Sequence, residues 1–361
     1  MNDKTFDYWD YFKAEAERIG CPLYAQLADG MRGSPQLQAF ARTCRKGQPP
    51  ANILFGAVHY LLIRGAQHPL RRYYPHLNGG APTPKGEDPF PLFADFVAQH
   101  RDELAPLVAA KVTNTNEVGR ASILHAGFRA LASEAGAPLN LIEIGPSAGL
   151  NLIWDRYGVR YRRGAETFEL PIPDPALTIH CELRGERTPP FGPTPEVASR
   201  IGLELNPVDL SDPGQRDWLR ALVWPGTQGR FELLDSALAA AMKQRAPIRA
   251  GNALDLLPDA LREVPEDQTV CIYHSYVVYQ FSSEMRTALE SILTLAGLRR
   301  PVWRLGIEGD ISGGNTMQLA CYRDGTRRHR RLALCHPHGF WLDWRNEAWV
   351  DAGGEWQPGL I

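Results

Sequence analysis

One stretch of this 361-residue chain, Glu143-Ile144-Gly145-Pro146-Ser147-Ala148-Gly149, ends an apolar run in a tight glycine turn. Read as G-x-S-x-G it is a nucleophile elbow, with Ser147 held on a strained turn to attack an acyl carbon. Read as acidic-x-G-x-S-x-G it is a turn that holds a nucleotide cofactor, because glycine lets the backbone approach a ligand closely. An elbow normally follows earlier strands and an oxyanion loop. Nothing before Leu139 reads as a strand, no H-G-G-G-type loop precedes it, and Glu143 has no role in an elbow. The turn is also a poor dinucleotide fingerprint, since G-x-G-x-x-G would need glycine at Ser147 and Leu150.

A cofactor without a pyrophosphate, S-adenosylmethionine (SAM), places fewer demands on that spacing. Its ribose needs a carboxylate at the end of a second strand, because two hydroxyls call for a bidentate acceptor. Glu204 in "IGLELNPVDL" stands at such a tip, with Glu182 in "HCELRG" as the rival. Asn252 and Ala253 fall where the adenine edge would lie, and a fourth strand ends at His274-Ser275-Tyr276. The expected SAM contacts are therefore Glu143, Gly145, Ser147, Gly149, Asn151, Glu204, Asn252, Ala253 and His274.

Methyl transfer is an in-line displacement at a sulfonium, so a protein mainly aligns the reactants and supplies a base where the acceptor must lose a proton. His274 is the candidate base, with Tyr276 and Glu308 as further catalytic candidates; Asp310 shares the reading of Glu308. Each has an ordinary alternative: a buried histidine bonded to backbone, a core aromatic, a loop-capping acid. Asn116, Arg120, His59 and Tyr279 are candidates for holding a small-molecule acceptor. Asn114-x-x-Glu117 doubles as a capping box. His59, Tyr60, Arg64 and His68 could equally be satisfied polar groups inside a helical bundle. His336-Pro337-His338 would point two imidazoles to one face of a strand, yet no second cluster completes a site, and no metal is expected. The basic run Arg327–Arg331 reads as a solvated hairpin tip.

The elements that must position these groups divide the chain in two. Residues 1–115 read as a helical domain. Phe6, Trp9, Phe12, Ala16 and Ile19 recur at helical spacing before Gly20, Ser34-Pro35 opens another helix, and "ANILFGAVHYLLIRG" is apolar nearly all round. A further helix over 117–135 leads into the second domain, 116–361. There the fold class is α/β, a Rossmann-like, mostly parallel sheet with an antiparallel C-terminal hairpin at one edge, centred on Asp324-Gly325. "LNLIEIG", "ALTIHCEL", "SRIGLEL", "QTVCIYHSYVVY" and "PVWRLGIEGD" are its strand candidates, and residues 158–199 read as an insertion. The helical domain is expected to help build the acceptor pocket.

Bulk composition excludes several classes. A formal charge of −2 gives no general electrostatic attraction to nucleic acid or anionic membrane. No apolar run approaches the ~20 residues needed to cross a bilayer. The six cysteines are scattered without a C-x-x-C pair, as in a reduced compartment, so a cytoplasmic location is expected.

"ILFGAVHYLLIRG", "TNEVGR", "EIGPSAGLNLIWDRYG", "IGLELNPVDL", "GNALDLLP", "CIYHSYVVYQFS" and "WRLGIEGD" together resemble a bacterial family of unknown function over nearly the whole chain. That resemblance implies a C-terminal part similar to class I SAM-dependent methyltransferases, with the cofactor pattern carried at Glu143, Gly145, Gly149, Glu204 and Asn252. A serine hydrolase acting through Ser147, and a non-catalytic protein that binds a nucleotide-like ligand, remain the alternatives.

Overall fold

The computed structural model describes residues 7–136, 138–170, 172–226, 229–309 and 314–352. Its helices are α1 (Tyr8–Ile19), α2 (Pro22–Arg32), α3 (Pro35–Ala41), α4 (Pro50–Ile63), α5 (Phe90–Gln99), α6 (Arg101–Ala110), α7 (Ala121–Ala135), α8 (Pro213–Ala221), α9 (Arg230–Lys243), α10 (Ala253–Glu263) and α11 (Ser283–Gly297). Its strands are β1 (Leu139–Ile144), β2 (Tyr157–Arg163), β3 (Glu166–Leu170), β4 (Leu177–Arg184), β5 (Val197–Glu204), β6 (Ile248–Ala250), β7 (Thr269–Ser275), β8 (Val302–Gly309), β9 (Asn315–Arg323), β10 (Thr326–Cys335), β11 (Trp341–Trp344) and β12 (Val350–Ala352). The chain forms two compact units, Met1–Thr115 with Asp209–Glu232, and Asn116–Val208 with Leu233–Ile361.

The first unit is a helical bundle. Asp7 accepts the N–H of Trp9 at 2.8 Å to start α1, and Gly20, at φ 82°, ends it. Ser34 precedes α3 as expected, but its side chain makes no capping bond. The apolar α4 buries Ile53, Leu54, Phe55, Val58 and Leu62 among Trp9, Phe12, Tyr24 and Phe93. Trp218, Ala221 and Leu222 of the later segment join the same core. A helix with no polar face has to be covered all round, and α8 supplies that cover.

The second unit is built on one mixed sheet in the order β3-β2-β4-β11-β10-β9-β8-β7-β1-β5-β6, with β12 beside β10. Strands β6, β5, β1, β7 and β8 are mutually parallel. From β8 the chain continues antiparallel through β9 and β10, joined at Asp324-Gly325, both at positive φ as a two-residue hairpin requires. The expected edge position of that hairpin is corrected: it lies in the interior of the sheet. Residues 158–199 supply most of β2 with β3 and β4, and these pair through β11 onto β10, so the insertion forms the far end of the sheet.

This sheet curls around α7. Strands β1 and β2 stand far apart in the order, yet only residues 145–156 join them. Much of that link is a seven-residue 3-10 helix, Leu150–Arg156, which spans about 14 Å. Every residue from Val118 to Leu131 is buried. A side chain at Gly127 would come within 2.8 Å of Leu305 on β8 and Met317 on β9. On the opposite flank His125 donates to the carbonyl of Tyr157 on β2 at 2.9 Å. The helix expected from 117 starts at Ala121, after a 3-10 turn over Val118–Arg120 whose Gly119 N–H is capped by Glu117.

Candidate functional site

The strand order reverses between β1 and β7, and the crevice that such a reversal creates outside the carboxyl ends of parallel strands is the usual location of a ligand. The Gly145–Gly149 turn leaves β1 at this point. Gly145 has φ 70° and its N–H donates to Leu203 on β5 at 2.9 Å; a Cβ there would sit 2.6 Å from Val277 Cγ2. Ser147 also has positive φ, 56°, rare for a side chain with a Cβ, and it is only 1% exposed. Gly149, at φ 76°, donates back to Pro146.

Two carboxylates frame the turn. Glu204, ending β5, accepts Ser147 N–H at 2.8 Å with Oε2 and Asn206 N–H at 2.9 Å with Oε1. Glu143, on β1, is buried, and Tyr273 on β7 donates to its Oε2 at 3.0 Å. Burial pushes the Glu143 carboxyl up to about 8, and the nearby Glu204 charge pushes the same way. The rival Glu182 lies on β4, on the far side of β8, β9, β10 and β11 from β1, and pairs with Arg184.

After the turn the chain runs into the 3-10 segment, kinked at Ile153. Leu150 through Trp154 are all buried. Asn116 and Asn151 belong to this corner. Asn116 Oδ1 accepts Leu150 N–H at 2.9 Å. Asn151 donates to the carbonyl of Glu117 at 3.2 Å, and its Oδ1 is buried without a partner among the described residues. Asn252 is the exposed N-cap of α10, accepting Leu254 N–H at 3.1 Å; Ala253 follows it into the helix, and Gly251 donates to the carbonyl of Glu204.

Arg120 sits on the other side of the crevice, 8% exposed. Its guanidinium donates to the carbonyl of Pro337 at 2.7 Å and to Ser275 at 3.3 Å, and lies 4.3 Å from the centre of the Tyr276 ring. Among the described residues none of its partners is a carboxylate. Tyr276 itself has φ 58°, and its hydroxyl donates to Asn315. Tyr279, 55% exposed, follows in the next turn.

The expected catalytic pair takes a different part. His274 is fully buried, with Nδ1 2.6 Å from Glu308 Oε1 and Nε2 accepting from Arg304 Nε at 3.0 Å. Burial, with the Arg304 charge beside it, lowers its pKa below the ordinary value and keeps the ring neutral. With both nitrogens engaged, it has no lone pair left for a substrate proton. Glu308 also accepts the N–H groups of Val277, Val278 and Tyr279 at 3.1, 3.0 and 3.3 Å. It is the anchor of the loop after β7, and its companion Asp310 lies outside the described residues. His59 belongs to the first unit, where its ring is buried between the carbonyl of Ala221 and His76, 2.9 Å from each. His338 pairs with Glu117 at 2.8 Å and donates its backbone N–H to His336 Nδ1. Among the described residues, no three of His, Cys, Asp and Glu gather as a metal site would require.

Two groups escaped the sequence reading: Tyr273 and Arg304. Arg304 had a signal, a lone arginine in the apolar run "PVWRLGI", which demands a buried partner.

Together these features define an α/β protein with a mixed sheet and a turn-and-carboxylate site at the ends of its parallel strands. The chain belongs to the family described as "uncharacterized protein conserved in bacteria" (DUF2332), whose sequence model matches residues 11–344. No curated protein and no solved structure matches it. Among the described residues no helix is long and apolar enough to cross a membrane.

Proposed function

We propose that the second unit is a SAM-dependent methyltransferase acting on a small molecule. The observation that carries the reading is Glu204 lying across the turn from β1, hydrogen-bonded to Ser147 N–H. Its carboxylate has about four acceptor sites, of which two are taken by backbone, so a ribose diol can still be held. The order β6-β5-β1-β7-β8 supports the reading, because in a doubly wound sheet the second strand brings the ribose acid beside the first turn. Arg120, whose charge acts on Glu143 before the turn, suits the carboxylate of the methionine part, and Asn252 with Ala253 suits the adenine edge. Without a free base at His274, the reading favours an acceptor that already carries a lone pair. Adding millimolar SAM should raise the melting temperature, Glu204→Ala should abolish that rise, and no rise in the wild type sinks the reading.

A second reading rests on Ser147. Its left-handed φ is the strained geometry of a nucleophile elbow. Against it, the side chain is buried and a 3-10 segment stands where the elbow's helix would begin. Fluorophosphonate labelling that disappears in Ser147→Ala would establish the hydrolase. SAM bound but never consumed with cell extract would favour a non-catalytic ligand-binding protein.

A further inference from the structure

The C-terminal halves of α10 and α11 border a half-open hollow of about 490 Å³, walled by Pro258, Leu261, Val264, Ile292, Leu295 and Leu298. These stretches lead into β7 and β8, so the hollow lies at the amino ends of the parallel strands, the opposite end from the Gly145–Gly149 turn. Packing on the sheet does not require all of this apolar surface. Leu257, Leu289 and Leu293 meet that need and are buried, whereas Leu295 is 65% exposed and Leu298 is 59% exposed. A scattered exposed leucine is ordinary. Two of them three residues apart, on the lip of an apolar hollow, make a patch of the kind that marks an interaction surface. Arg300 makes the wall firm: it is buried and donates to the carbonyls of Leu261 at 2.8 Å, Val264 at 3.1 Å and Pro265. The rim carries both signs. Arg262 pairs with Asp259, and Arg299 lies 3.9 Å from Glu266, all four side chains being exposed. Exposed pairs of this kind hold each other weakly and can exchange partners.

Shape and charge together select the occupant. A small molecule seated in the hollow would leave the outward sides of Leu295 and Leu298 in water, while a protein surface covers the hollow and both leucines at once. The patch offers, in one place, an exposed leucine to insert and a hollow that receives one, and its rim sets bases beside acids. A two-fold interface demands this self-complementarity, because the same surface of each copy must fit the other. We propose that the α10–α11 face is where two copies of this chain meet, with Leu295 of each copy entering the hollow of the other and the rim arginines facing the other copy's rim acids. The inference stands independently of any SAM site.

Sedimentation velocity on the full chain, from roughly 1 to 100 μM, should show a reversible monomer–dimer equilibrium. Leu295→Glu changes an exposed position, so the fold tolerates it and the circular dichroism spectrum should stay the same. It should weaken association by about tenfold or more, as expected for a residue at the centre of an interface. Amide hydrogen exchange of the wild type at the two ends of that concentration range should slow within 258–266 and 292–300 on association, a readout that needs no variant. A monomer throughout the range overturns the proposal, as does a monomer that native mass spectrometry finds carrying an apolar small molecule. A dimer that Leu295→Glu leaves equally tight, or one with unchanged exchange in those two stretches, overturns it as well.

Discussion

Ser147 N–H donates to Glu204 Oε2 at 2.8 Å, so the turn after β1 and the end of β5 are held as one piece. Replacing Glu204 by alanine leaves that amide and the amide of Asn206 without their acceptors. The cost is about 1–3 kcal/mol for the buried Ser147 amide and less for that of Asn206, an exposed residue, read by chemical denaturation. Glu204→Gln keeps one carbonyl oxygen and should lose less. If SAM still stabilises Glu204→Ala as well as it does the wild type, the carboxylate does not hold the ribose.

Gly145→Ala tests the turn itself. The residue sits at φ 70°, and a methyl group would stand 2.6 Å from Val277 Cγ2. The left-handed backbone alone costs about 1–2 kcal/mol for a residue with a Cβ, and the contact adds to it. The double variant Gly145→Ala/Val277→Ala should recover the contact part only. Full recovery would mean that the backbone conformation is not demanding.

What the sequence disclosed follows from physical pattern. Strands β1, β7 and β8 are buried on both faces, so each reads as an apolar run. Asp324-Gly325 announced its hairpin through turn chemistry. Strand β2, "YGVRYRR", carries three arginines and was invisible, because its place beside β4 is decided by residues distant in the chain. The 3-10 segment after Gly149 is buried from Leu150 to Trp154, so its residue pattern does not tell it from an α-helix. At the candidate site, residue types were legible and roles were not. Glu308 reads equally as a catalytic or a loop-capping acid, and only the three backbone N–H groups and His274 around it decide for the second.

That arrangement predicts acid sensitivity. The His274 hydrogen bond and the backbone N–H groups hold the Glu308 carboxylate below its ordinary 4.5, against the burial that opposes them. Its stabilisation is therefore present above 4.5 and lost as pH falls through the lower folded value. His274, lowered from 6.5, adds a loss that begins as pH drops below 6.5, because only the unfolded chain takes up the proton. Glu308→Gln should cost about 1–3 kcal/mol, as expected when buried donors lose a charged acceptor. It should also speed amide hydrogen exchange at Val277, Val278 and Tyr279; unchanged exchange there would show that the loop does not depend on Glu308.

Glu143 acts in the opposite direction. Its carboxyl, raised from 4.5 to about 8 chiefly by burial, stays protonated in the fold where the unfolded chain has already ionised. The unfolded state then binds fewer protons, so stability falls as pH rises between those two values, by at most about 1.4 kcal/mol per pH unit for a single proton. Glu143→Gln keeps the shape and an oxygen for the Tyr273 hydroxyl, and cannot ionise. Urea denaturation across that range should show a declining stability in the wild type and a flatter line in the variant, the two converging toward acid. Parallel lines would mean that Glu143 titrates in the fold as it does in water, and that the base of the crevice is open to solvent.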